Sequence, residues 1–236
     1  MKVAVVTPTI GSEYLWKCIE SVQGQSYDDL THYIFIDGKE HKNKVEDVIF
    51  SFSGEKPFRT IQLEENVGKG WYGHRVYAAS SFLVNADVIC YLDEDNWIDP
   101  DHIKSLLEVI NNGNDWAYSL RKIVDKSGNF ICNDDCESLG MWPVYFNNDI
   151  FHIDTSCYAI RRDIATQIGH AWYTKWGADR VFFHNLKSYF PKYNCNFKHT
   201  LNYRLEGNEG SVTSEFFLDG NKINRDRYKP LPWGKD

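Results

Sequence analysis

Over residues 3–110, apolar runs of strand length alternate with segments whose apolar residues recur at helical spacing, and this alternation constrains the fold more than any other feature. Residues 3–6 are all apolar and end at Thr7-Pro8-Thr9, which reads as a buried strand and its loop. Ser12 is placed to cap a helix whose apolar residues are Leu15, Cys18, Ile19 and Val22. A second strand at 33–36 ends at Asp37-Gly38, and Val45, Val48, Ile49 and Phe52 repeat the helical spacing. A short strand at 59–63, a helix at 72–84 and a strand at 88–92 follow. Asp99 as N-cap and Pro100 at the first helical position open the next helix, with Ile103, Leu106, Leu107 and Ile110 on one face. Such alternation predicts an α/β fold with a mostly parallel open sheet flanked by helices. A parallel sheet brings the loops after its strands to one edge, where ligands bind in open α/β sheets.

The second half is less regular. Residues 116–123 read as a strand, 125–129 as a hairpin turn and 133–149 as a long loop. A strand is expected within 151–160, a short helix at 162–168 and a helix at 178–189 with Val181, Phe182 and Leu186 inward. Residues 196–205 read as a last strand, and the tail from Gly207 has little periodicity. No linker or repeat divides the chain, so residues 1–236 are expected to form one domain, with halves at 1–110 and 111–236.

The strand at 88–92 ends in Asp93-Glu94-Asp95. Adjacent acids repel one another unless a cation lies between them. Alternation along an extended segment lets Asp93 and Asp95 face one way while Glu94 faces another. Two carboxylates toward one crevice suit Mn²⁺ or Mg²⁺; the alternative is a solvated acidic turn before a helix.

The net charge of −7 argues against a nucleic-acid partner. No apolar run reaches the roughly 18–20 residues of a membrane span, and the apolar start is too short for a signal peptide. The six cysteines are scattered without paired zinc spacing, as expected for reduced thiols in a cytoplasmic protein.

Several segments, in order, resemble family 2 glycosyltransferases of GT-A fold. They are Val5-Val6-Thr7-Pro8-Thr9, the helix region 15–27, Phe35-Ile36-Asp37-Gly38, Glu65-Asn66-Val67-Gly68-Lys69-Gly70, and Leu92-Asp93-Glu94-Asp95-Asn96 followed by Ile98-Asp99-Pro100. They cover about residues 3–110. Beyond that the match thins to Cys157 through Ile168 and to Trp176-Gly177-Ala178-Asp179-Arg180, where Ala178 stands in place of the family's usual Glu before the Asp.

The resemblance implies a single GT-A domain, with donor binding in 1–110 and an acceptor-binding half in 111–236. It implies an inverting hexosyltransferase that moves a sugar from a nucleoside diphosphate sugar, by default a UDP-sugar, to a hydroxyl of a glycan or other acceptor. Asp95 is the implied metal ligand, with Asp93 binding directly or through water or ribose, and Asp93 and Glu94 are also implied contacts of the donor nucleotide. His199, or His152, is the implied extra ligand from the C-terminal part. Thr7, Pro8 and Thr9 would line the base. Asp37 would accept from base or ribose, or else make a turn before Gly38. Asn66, Gly68, Lys69 and Arg75 would meet phosphate or sugar. Asp179 would be the general base, unless it serves only as a helix N-terminal acid. Trp172 and Trp176 would give the acceptor flat apolar faces, together with Tyr173 and Trp142, and Asp154 is the reserve base in the acceptor region. Two rivals remain: another metal-dependent sugar-nucleotide enzyme, and a non-catalytic nucleotide- or carbohydrate-binding module. The former usually carries a glycine-rich, basic loop after its first strand, which Ile10-Gly11-Ser12-Glu13 is not.

Overall fold

β1 (Val3–Thr9) is the axis of the N-terminal half, with Val3 through Val6 buried on both faces of the sheet. It pairs in parallel with β2 (Leu30–Ile36) and β4 (Val88–Tyr91), and β2 pairs in parallel with β3 (Phe58–Gln62). The computed structural model describes residues 1–52, 54, 56–205 and 212–234. The helices between these strands are α1 (Leu15–Gln23), α2 (Lys42–Phe50) and α3 (His74–Leu83). The apolar residues that announced α1, Leu15, Cys18, Ile19 and Val22, are all fully buried.

Two helix starts differ from expectation. Ser12 Oγ accepts from Tyr14 N at 3.3 Å, but α1 begins at Leu15 with Tyr14 as its N-cap. Asp99 does not cap α4 (His102–Asn111), whose N-cap is Asp101. The Asp99 carboxylate instead takes Lys122 Nζ at 2.6 Å and Asn202 Nδ2 at 2.9 Å, tying the N-terminal half to later strands.

One nine-stranded sheet runs through both halves in the order β3-β2-β1-β4-β8-β6-β9-β5, with β7 also on β6. The later strands are β5 (Trp97–Ile98), β6 (Trp116–Val124), β7 (Phe130–Asn133), β8 (Tyr158–Arg161) and β9 (Tyr193–Arg204). The sheet is parallel from β3 to β4. Beyond β4 it is mixed: β8 lies antiparallel between β4 and β6, whereas β9 runs parallel to β6. α5 (Arg162–Ile168) and α6 (Ala178–Tyr189) occupy the expected ranges. On α6 it is Phe182, Phe183 and Leu186 that are buried, while Val181 is exposed.

The strand expected within 151–160 is shorter, because the Asp154 carboxylate accepts from Ser156 N at 2.9 Å and curls Thr155–Cys157 into a 3-10 turn. The tail, read as irregular, contains a 14-residue helix, α7 (Ser214–Arg227), while residues 206–211 lie outside the described residues. The inward face of α7 is Phe217, Gly220, Asn221 and Asn224. Its helical spacing is regular, but three of the four are not apolar, so hydrophobic periodicity misses it. Asn221 accepts from Asp135 N at 2.8 Å and donates to Asn133 O at 2.6 Å, and Asn224 donates to Asp135 O at 2.8 Å. A Cβ on Gly220 would come within 2.8 Å of Cys136 Sγ, so only glycine lets the helix sit this close. All six cysteines are free and buried, and among the described residues no helix is long and apolar enough to cross a membrane.

Candidate active site

The loops after β1, β2 and β4 meet residues of the second half around one crevice of about 1070 Å³. That is the upper end of the roughly 300–1,000 Å³ usual for small-molecule sites. Pro8, Thr9, Asp37, Asn66, Gly68, Lys69, Asp93, Glu94 and Asp95 line it from the N-terminal half, and Asp154, Trp176 and Asp179 from the other.

Asp37 ends β2 buried and clamps the next loop: its two oxygens accept from Val67 N and Gly68 N, both at 2.8 Å. A Cβ on Gly68 would fall 2.4 Å from Asp37 Oδ2, so the clamp requires glycine. Asn66 Oδ1 is buried without a hydrogen-bond partner on the same wall, an acceptor waiting for a donor. The expected alternation does not apply, because β4 ends at Tyr91 and Asp93–Asn96 form a turn closed by Asn96 N on Asp93 O at 3.2 Å; Glu94 nevertheless has partners separate from those of Asp93. It takes Thr9 Oγ1 at 2.5 Å, Ser12 N at 2.8 Å and Ile10 N at 3.3 Å, fixing the loop after β1 to the acidic turn.

Asp93 sits at the centre. Its Oδ1 accepts from Tyr77 Oη at 2.6 Å, and its Oδ2 from Ser156 Oγ at 3.1 Å. Burial, then the Asp154 carboxylate, push its pKa up to about 6 against the pull of those two hydroxyls, and Asp179 adds to the rise. The crevice therefore carries an excess negative field at the point where both halves meet. Among the described residues no three His, Cys, Asp or Glu are grouped to hold a metal by themselves. Mg²⁺-type sites in nucleotide enzymes need only one or two carboxylates, the rest coming from water and substrate phosphates. Asp93 and Asp95, both lining the crevice, fit that requirement, and a cation beside them would offset the Asp154 and Asp179 charges that add to burial in raising Asp93.

The wall from the second half is built on Arg121 of β6, which is 2% exposed and has three carboxylates around it. Nε donates to Asp134 at 2.7 Å, one terminal nitrogen to Asp154 at 2.7 Å and the other to Glu137 at 2.6 Å. Burial would lower the Arg121 pKa; the carboxylates overcome it and hold the guanidinium charged. Asp179, in the first turn of α6, keeps one oxygen on Arg180 N at 2.8 Å and has the other 3.6 Å from His152 Nδ1. His74 Nδ1 lies 3.2 Å from Thr174 O, and burial lowers its pKa, so the ring is held neutral. Trp176 is 75% exposed on the rim, with the Arg180 guanidinium 5.4 Å over its ring.

Five expected site residues lie elsewhere or act otherwise. Thr7 is fully buried, its hydroxyl 2.9 Å from His32 Nε2 and 3.7 Å from Cys18 Sγ between β2 and α1, while Pro8 and Thr9, nearer the end of β1, line the crevice. Arg75 lies on the outer face of α3, 3.9 Å over the Trp71 ring and donating to Val67 O at 3.4 Å. Trp172 is core: it stacks on Phe182 at 4.0 Å and meets Tyr91 edge-on, beneath the acidic turn rather than beside an acceptor. His199 stands 3.6 Å from Asp135, which also binds Trp233 and Arg225, so it belongs to the anchorage of the C-terminal segment. Asp154 does line the crevice, but its oxygens are taken by Arg121 and Ser156 N, which removes it as a reserve base. Of the other three candidates, His152 faces Asp179 rather than the acidic turn, Trp142 packs 5.2 Å from Trp233, and Tyr173 packs 4.9 Å from Trp71 outside the crevice lining. Tyr77, Ser156, Arg121 and Glu137 were not anticipated. A tyrosine in a helix and an arginine in a strand carry no local signal, since their partners lie 13 to 63 residues away.

Residues 4–169 match the sequence model of Glycosyl transferase family 2. An uncharacterised protein of Haemophilus influenzae is 28% identical over 109 residues, spanning 39% of this chain and 74% of its own length. Among solved structures, residues 1–349 of S. aureus TarS superpose with a TM-score of 0.67 at 16% identity, over 86% of this chain and 60% of that one. The same protein in complex with UDP-GlcNAc gives a TM-score of 0.69 at 13% identity, over 90% of this chain and 62% of that one. This chain thus spans about three fifths of the TarS chains, and the likeness establishes a shared GT-A fold. With more than half of its length matched by the family model, and the acidic turn, the Asp37 clamp and Asp179 around one crevice, the chain is a member of glycosyl transferase family 2.

Proposed function

We propose that the protein is a metal-dependent, inverting glycosyltransferase that moves a hexosyl group from a UDP-sugar to a hydroxyl of a glycan acceptor. The observation that carries the proposal is the convergence of Asp93 and Asp179, from opposite halves of the chain, on one crevice, close enough for Asp179 to raise the pKa of Asp93. The structures of TarS in complex with UDP-GlcNAc and with UDP support a uridine donor.

In this reading Asn66, Gly68, Lys69 and the Pro8-Thr9 turn receive the nucleotide. Asp95, with Asp93, holds Mn²⁺ or Mg²⁺, which when bound offsets charge on the leaving diphosphate as a Lewis acid. Asp179 takes the proton of the acceptor hydroxyl as that oxygen attacks the anomeric carbon. A base on the face opposite the leaving group inverts the configuration. Trp176 offers its exposed ring to the acceptor. A reducing compartment, the cytoplasm, suits the six free buried cysteines.

Thermal melting with a panel of nucleotides and nucleotide sugars, with Mn²⁺ or EDTA, tests the donor and the metal together. UDP or a UDP-sugar with Mn²⁺ should raise the melting temperature by mass action, and Asp95→Ala should abolish the Mn²⁺-dependent part. Stabilisation equal in EDTA and Mn²⁺ refutes metal dependence; stabilisation by GDP or CDP but not UDP refutes the uridine assignment. Turnover of the stabilising donor separates a transferase from a binding module.

A further inference from the structure

His152 is 4% exposed, lines the crevice, and has its Nδ1 buried without a hydrogen-bond partner. The nearest carboxylate oxygen recorded for that nitrogen is Asp179 Oδ2, at 3.6 Å, beyond hydrogen-bonding range. The two sides of this gap differ in freedom. The His152 carbonyl accepts from Gly140 N at 2.9 Å, and a Cβ on Gly140 would meet the Tyr118 ring at 2.4 Å. Two residues on, Asp154 is fixed by Arg121. The imidazole is therefore built into the wall. The Asp179 side chain is 31% exposed and, among the described residues, is hydrogen-bonded through Oδ1 to the next residue's amide, so it is the partner able to move. Hydrogen bonds of catalytic groups are often long in the free enzyme and shorten when substrate binds.

We propose that His152 is a positioning residue for Asp179. With an acceptor in the crevice, His152 Nδ1–H donates to Asp179 Oδ2. The remaining lone pairs of the carboxylate then receive the acceptor's hydroxyl proton, which ends on Asp179 as the new glycosidic bond forms and the bond to the diphosphate breaks. His152 neither gains nor loses a proton. This rests on the reading of Asp179 as the base.

Two measurements on the full chain test it. The ring tautomer needs no substrate: in ¹⁵N-histidine-labelled protein with UDP and Mn²⁺, His152 should carry its proton on Nδ1, and Asp179→Ala should alter that preference. A bare Nδ1 in the wild type overturns the proposal. Turnover of UDP-GlcNAc, followed as UDP release, gives the second readout. His152→Leu should lower kcat about 10- to 100-fold, as for a misplaced reacting group, with UDP affinity unchanged. His152→Asn, whose amide puts an N–H where Nδ1 stands, should recover most of the loss. In an Asp179→Asn background, His152→Leu should cost nothing further. Equal loss in the Leu and Asn variants, or full activity in His152→Leu, overturns the positioning role. Wild-type turnover in Asp179→Asn, with the Nδ1 proton in place, instead refutes the reading of Asp179.

Discussion

Tyr77 Oη donates a 2.6 Å hydrogen bond to Asp93 Oδ1, joining the helix after the glycine-bearing loop to the acidic end of β4. Hydrogen bonds to a charged group contribute roughly 1.5–3 kcal/mol. Tyr77→Phe keeps the ring against Tyr91 and Trp172 but removes this donor. It should weaken Mn²⁺-dependent UDP binding about tenfold while leaving metal-free nucleotide binding unchanged, as read by calorimetry. Equal affinity in both proteins with Mn²⁺ would mean that Tyr77 does not hold Asp93 for the cation.

Asp179→Asn retains shape and removes basicity. Transfer should fall roughly 10²–10⁴-fold, with UDP affinity within a factor of a few, measured by steady-state kinetics and calorimetry. A product with the donor's anomeric configuration would reject inversion, and with it the need for a base on that face.

Arg121→Leu should cost about 3–5 kcal/mol, because it leaves Asp134, Asp154 and Glu137 without their buried counter-charge. Urea unfolding at pH 7.5 reads the loss. At pH 5 the difference from wild type should shrink as the orphaned carboxylates take up protons. A difference that is constant with pH would point to packing rather than charge.

His32 and His102 are buried and held neutral, their pKa values lowered to about 3 and about 4 from 6.5, first of all by burial. The unfolded chain binds protons at each site from about pH 6.5 downward, whereas the folded chain does so only near the lowered values. Stability is therefore full above pH 6.5 and declines as pH falls toward 4, by about 2 kcal/mol per histidine at pH 5. Denaturation midpoints at pH 7.5, 6 and 5 should follow this course. The variant carrying both His32→Asn and His102→Asn should lose that part of the slope; an unaltered slope would assign acid sensitivity to other groups.

The donor half was legible because its strands and helices are marked by apolar residues at regular spacing, and because the acids of residues 93–95 follow one such strand directly. Thr7 shows the limit of that reading. Which of Thr7, Pro8 and Thr9 reaches the crevice depends on neighbours distant in sequence, and Thr7 turns inward to His32 while Thr9 meets Glu94. The acceptor half was less legible because its parts meet through polar groups far apart in sequence. Arg121 joins residues 13, 16 and 33 positions away, and His152 meets Asp179 across the chain. Aromatic residues mislead for a related reason: Trp172 and Trp176 look alike in sequence, yet one is sealed in the core and the other stands 75% exposed.

The way α7 docks has a thermodynamic consequence. Apart from Phe217, its inward face meets the 133–136 segment through side-chain amides and a glycine. Peeling it away frees polar groups that water can satisfy and bares one small apolar cluster, Phe217 with Ile123, Cys132 and Cys136. Polar exposure adds little or negatively to the heat capacity of unfolding, and a small exposed area gives a shallow denaturant slope. Only the small apolar cluster would register in a calorimeter or a urea titration, yet the event would release the Asp135 amide from Asn221. Hydrogen exchange at that amide is the observable in which the C-terminal helix would reveal its own free energy, separate from that of the sheet.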